Sequence, residues 1–111
     1  ESVSMVDDNT KAAFNICACI CAQDGIISNQ EEASIAASFK SQFQINDDDL
    51  EALFDDFFES TLHIDAYLEK VTDADLRKKI TAIAESSAAA DGLALKENIA
   101  LERVKMIWGL S

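Results

Sequence analysis

Proline is absent from the 111 residues, and glycine occurs only three times. Strands joined by tight turns normally draw on both residues, so the shortage argues for helices joined by short connections. There is a single histidine, His63. That leaves no histidine pair for a zinc site, and a His-based triad would rest on one residue flanked by Leu62 and Ile64. His63 reads as a surface or packing residue. No glycine-rich loop is present to cradle a phosphate.

Positive charge is also scarce: 9 bases face 21 acids, a formal net charge of −12. Nucleic-acid binding needs a basic stripe to displace counterions, so DNA and RNA are not expected partners. Anionic membrane surfaces would repel the chain. No apolar run approaches the roughly 20 residues of a membrane span. The first residues, Glu1 to Asp8, show neither a basic start nor an apolar stretch, so no export signal is expected and the protein is placed in the cytoplasm. Basic proteins and metal cations remain the plausible partners of so acidic a surface.

What the chain does have is apolar material, 49% of its residues, arranged at helical spacing. From Asp7 to Gln23 the residues Ala13, Cys17, Ile20 and Cys21 line one face, widened by Phe14 and Ala18. A second helix is predicted over Asn29–Gln42, with Ser28 as N-cap, Glu31 completing a capping box, and Ile35, Phe39 and Phe43 on one face. A third is capped by Asn46 or Asp47. Its apolar residues Leu50, Leu53, Phe54, Phe57 and Phe58 fall at i, i+3, i+4, i+7 and i+8. The phase shifts near Ser60–His63, which predicts a break before Ile64, Tyr67, Leu68 and Val71. Thr72, with Asp75 three residues on, is read as the next cap, opening a helix that buries Leu76, Ile80, Ile83 and Ala84. The small run Ser87–Ala90 suits a tight helix–helix contact. A last helix over Leu95–Trp108 is expected to bury Ile99, Leu101, Val104, Ile107 and Trp108. No linker separates these parts, so residues 1–111 read as one all-α domain, a compact bundle of about five to seven helices.

The three cysteines, Cys17, Cys19 and Cys21, are odd in number and too close for a disulfide framework. On a helix Cys17 and Cys21 share a face while Cys19 points elsewhere, which reads as small buried thiols in a reducing compartment. Between Asp47 and Glu59 lie seven acids and no base. Glu51, Asp55 and Glu59 repeat at i+4 and repel one another along one face, so burial of the phenylalanines must offset that repulsion. This face is simply solvated, a docking surface for a basic protein, or a loose binder of cations.

Two stretches repeat a pattern. Asp24-Gly25 follows one helix and precedes Glu31; Asp91-Gly92 follows another and precedes Glu97. Each glutamate opens an apolar helix. Turn geometry and capping account for these residues without any ligand; metal ligation is the alternative. The first copy also resembles the second half of an EF-hand loop, with Ile27 two positions after the glycine and Glu31 as the closing carboxylate. The first half does not fit, because Ile20 and Ala22 stand where oxygen ligands belong. Calcium wants six to eight oxygens, so this loop alone cannot hold it.

A helix, an Asp-Gly turn and a glutamate opening the next helix, occurring twice in a small acidic chain, resembles the TerB family, which includes tellurite-resistance TerB proteins and the amino-terminal domain of DjlA-type co-chaperones. The resemblance covers most of the chain. It implies an all-helical fold, a non-enzymatic role in stress or tellurite response, protein partners within larger assemblies, and an acidic site for a divalent metal ion such as calcium or zinc. Carried over by position, the ligands would be Asp24, Glu31, Asp91 and Glu97. The second copy departs from the first by one residue: Glu97 lies six positions after its aspartate, and Asn98 occupies the seventh.

Overall fold

Buried side chains cover every side of the first helix, and that sets the architecture. The computed structural model describes residues 8–22, 27–59, 64–91 and 95–110. It contains six α-helices: α1 (Asp8–Cys21), α2 (Asn29–Gln42), α3 (Asp47–Glu59), α4 (Ile64–Leu68), α5 (Ala74–Ala88) and α6 (Leu95–Trp108). A 3-10 turn over Ala89–Asp91 extends α5. No strand occurs among the described residues. The radius of gyration is 12.9 Å, close to the roughly 13 Å of a compact chain of this length.

Helix α1 is the axis. All seven residues from Ala12 to Ala18 are buried, where the periodicity predicts one apolar face. Small side chains explain the difference: Ala12, Ala13, Cys17, Ala18 and Cys21 let α2, α3, α4, α5 and α6 all approach it. Its most extensive neighbour is α5. There the Cys17 thiol donates to the Ile80 carbonyl at 3.6 Å. Phe14 meets Phe39 of α2 and Phe54 of α3 edge-on, with ring centroids 5.3 and 4.8 Å apart, the geometry that aromatic quadrupoles favour.

The helix ends follow local chemistry. Ser28 and Glu31 form the full capping box of α2. Asn46 caps α3: its Oδ1 accepts from the Asp49 N–H at 2.8 Å, and its own N–H donates back to the Asp49 carboxylate. At α5 the cap is Asp73, whose carboxylate accepts from the Leu76 N–H at 2.8 Å. The reading of Thr72 as that cap is therefore corrected by one residue; both side chains can cap, and the backbone turns helical only after Asp73. Helix α6 closes on Gly109, whose φ of +72° allows the paired bonds Leu110 N–H to Lys105 O and Gly109 N–H to Met106 O.

Three apolar residues expected in the core lie outside it: Phe58 is 64% exposed, Ile99 57% and Ile107 51%. Helix α6 instead turns Glu97, Leu101, Val104 and Trp108 inward. Trp108 anchors this end, its indole N–H donating to the Leu68 carbonyl at 3.4 Å while Arg77 lies over the ring. The predicted break at Ser60–His63 falls outside the described residues, as does His63. Among the described residues, no helix is long and apolar enough to cross a membrane.

Candidate functional site

The two hinge glutamates share one structural position. Glu31 is the third residue of α2 and Glu97 the third residue of α6. Counted from the aspartate they differ by one; counted from the helix start they coincide. Both are 2% exposed. First-turn acids normally face water, because the helix dipole rewards them without burial. Burying a carboxylate costs several kcal/mol unless a partner meets it.

For Glu31 half of that partner is visible. Its Oε1 accepts from the Ser28 N–H at 3.0 Å, and its own N–H donates to Ser28 Oγ at 3.1 Å. Its Oε2 is buried with no hydrogen-bond partner among the described residues. A proton or a cation on Oε2 would satisfy it; the capping box does not.

The ends of α2 and α5 are held side by side. Ser87 Oγ donates to Ser34 Oγ at 3.1 Å, and the 3-10 turn ending in Asp91 packs on α2. Ser34 sits one turn beyond Glu31, and Ser87 one turn before Asp91. The backbone at Asp91 is thereby brought to the half of α2 that carries Glu31. Asp24 and the side chain of Asp91 lie outside the described residues. Among the described residues, no group of three or more histidine, cysteine, aspartate or glutamate side chains is gathered closely enough to hold a metal ion. Ile20, at the first ligand position of the EF-hand reading, is fully buried in α1.

The Cys17 and Cys19 thiols are poor ligands or nucleophiles at neutral pH. Burial, reinforced by the neighbouring Cys21 and Cys19, pushes Cys17 well above the ordinary thiol value, and burial raises Cys19 to about 11. Cys17 and Cys21 are buried and Cys19 only partly so, as their spacing predicts. On α3, Asp47, Asp48, Glu51, Asp55, Asp56 and Glu59 are exposed and Asp49 is half-buried. Lys40 of α2 reaches across to pair with Asp47.

One feature the periodicity conceals is Asn15, 5% exposed within the apolar run of α1. Its amide N–H donates to the Lys11 carbonyl at 2.8 Å, which leaves Oδ1 buried without a partner among the described residues. It borders an open cleft of about 620 Å³ that also takes in Lys11, Asp56, Glu59, Tyr67 and Lys70. A polar amide inside an otherwise apolar helix was the available signal. No protein-family model matches the chain, and no curated protein or solved structure matches it either.

Proposed function

We propose that the protein is a non-enzymatic interaction domain of the TerB-like kind, carrying a divalent cation where its two Asp-Gly junctions meet the bundle. Glu31 and Glu97 supply carboxylates from equivalent first-turn positions, and Asp24 and Asp91 supply the others. The observation that carries the reading is Glu31: a carboxylate 2% exposed whose second oxygen has no partner among the described residues. An all-carboxylate set suits a hard cation, which favours calcium over zinc. The exposed acids of α3 then serve as the docking face for a basic protein partner. A place in stress response follows from the TerB resemblance alone.

The test is calorimetric titration of the purified chain with calcium and, separately, with zinc. The expected result is a saturable heat that disappears in the Asp24→Asn/Asp91→Asn double variant. Equal heats from variant and wild type would remove the cation from the proposal.

A second reading has its own support. The Ser28–Glu31 capping box uses Glu31 structurally, so the hinges can serve geometry alone in a structural or oligomerisation module. That reading expects no heat with either ion.

A further inference from the structure

The cleft beside Asn15, about 620 Å³ in volume, has its charges sorted by wall. Helix α3 contributes Asp56 and Glu59, which fall at i and i+3 on one helix face. Helix α1 contributes Lys11. Lys70 stands just beyond α4, its ammonium 5.8 Å from the centre of the Tyr67 ring. All four charged residues are exposed. Among the described residues, no ion pair joins either lysine to either acid. The cleft is therefore neutral in sum and acidic on one wall, with its bases on the others.

Asn15 borders this space from α1, and its side-chain N–H donates to the Lys11 carbonyl one turn back. That bond lays the amide along the turn of α1 that lines the cleft. The residue is 5% exposed, and its Oδ1 has no partner among the described residues. A buried acceptor left unmet is costly, and native structures seldom leave one so. The terminal torsion of asparagine is soft, so a small turn of the amide presents Oδ1 to a donor seated in the cleft.

We propose that this cleft binds a short unblocked peptide of dipeptide size. Its ammonium lies against Asp56 and Glu59, its carboxylate against Lys11 and Lys70, and its peptide N–H donates to Asn15 Oδ1. The charges select the class. A simple cation is opposed by the lysines and a simple anion by the acids, whereas a molecule carrying both signs gains from both walls. A free amino acid carries both charges on one carbon and cannot reach walls that are held apart. A dipeptide separates them by one peptide unit, and that unit supplies the neutral donor Asn15 lacks. The volume suits such a ligand, since clefts for small molecules run from about 300 to 1,000 Å³. Exposed charges each contribute little, so the affinity is modest.

Nuclear magnetic resonance of the nitrogen-15-labelled chain tests this, with a chelator present so that the result is independent of the cation. A panel of unblocked dipeptides is titrated to millimolar concentration. The expected result is a saturable shift of the Asn15 side-chain amide and of the backbone amides around Lys11 and Asp56. N-acetylated and C-amidated forms of the same dipeptides are each expected to bind at least about tenfold more weakly. In the Asp56→Asn/Glu59→Gln variant the penalty for N-acetylation should disappear, and in the Lys11→Gln/Lys70→Gln variant the penalty for C-amidation. These positions are exposed, so the circular dichroism spectrum should not change. Asn15→Leu should keep or raise the melting temperature, because an unmet polar atom is gone, yet lose the binding. A panel in which no dipeptide shifts the Asn15 side-chain amide would overturn the proposal. Binding indifferent to both blocked forms, or to Asn15→Leu, would do the same.

Discussion

Ser34 and Ser87 face each other across the α2–α5 contact, their hydroxyl oxygens 3.1 Å apart. Ser87 is completely buried. Two helices come this close only where side chains are short, and the half-buried Ser34 gives the Ser87 hydroxyl the partner that water cannot supply. Ser87→Leu is expected to force the helices apart and cost about 1–3 kcal/mol. Ser87→Ala should cost about 1 kcal/mol, part of it recovered when Ser34→Ala removes the orphaned partner. Urea midpoints of the two single variants and the double variant measure all of this.

Glu31 separates capping from ligation. Glutamine retains an oxygen for the Ser28 N–H but cannot hold a cation as a carboxylate does. Without cation, Glu31→Gln should leave the melting temperature level or raise it, since a buried charge is gone. Any rise in melting temperature on adding calcium should vanish in the variant. Ser28→Ala, by contrast, should cost about 1 kcal/mol whether or not calcium is present. Thermal scans with calcium and with a chelator distinguish the two.

The thiols make stability depend on alkaline pH. In the unfolded chain they ionise near the ordinary value of 9.0, whereas burial holds Cys19 at about 11 and Cys17 higher still than its ordinary value. Their contribution is complete below about pH 9 and is lost as pH rises toward 11, because the unfolded chain releases protons that the folded chain keeps. The urea midpoint should fall over that window, and the Cys17→Ala/Cys19→Ala variant should flatten the fall. At neutral pH a thiol reagent should modify Cys19 first, with Cys17 protected until the chain unfolds.

Trp108 joins α6 to α4 through its indole N–H and the Leu68 carbonyl. Trp108→Phe keeps most of the apolar contact and removes one of the two donors to that carbonyl, leaving the Val71 N–H at 3.4 Å, at about 0.5–1.5 kcal/mol. Trp108→Ala also opens a cavity, at about 3–5 kcal/mol. Denaturation followed by circular dichroism suits both, since each removes the sole tryptophan.

Much of this arrangement is legible in the residues. Asn29–Gln42 and Leu95–Trp108 are the helices their spacing predicts, because a capping box opens the first and a glycine closes the second. What periodicity conveys poorly is which of several apolar faces the core takes. In α6, Ile99 and Ile107 are as apolar as Leu101 and Val104, and only the positions of α1 and α5 decide between them. In α1, alanine and cysteine are small enough to be buried from any direction, so the spacing shows one stripe where burial is complete. The hinge glutamates are legible as positions. Their burial is not, since a first-turn acid at the surface and one within the core have the same sequence signature.

The heavily buried α1 also constrains how the chain comes to be folded. This helix is synthesised before its principal partner, α5, which lies more than fifty residues downstream. Until α5 emerges from the ribosome, the run Ala12–Ala18, buried throughout in the folded chain, must wait with most of its apolar surface unshielded. Nascent chains halted before residue 74 should therefore recruit chaperones or aggregate, whereas chains released after α6 should collapse in a single cooperative step.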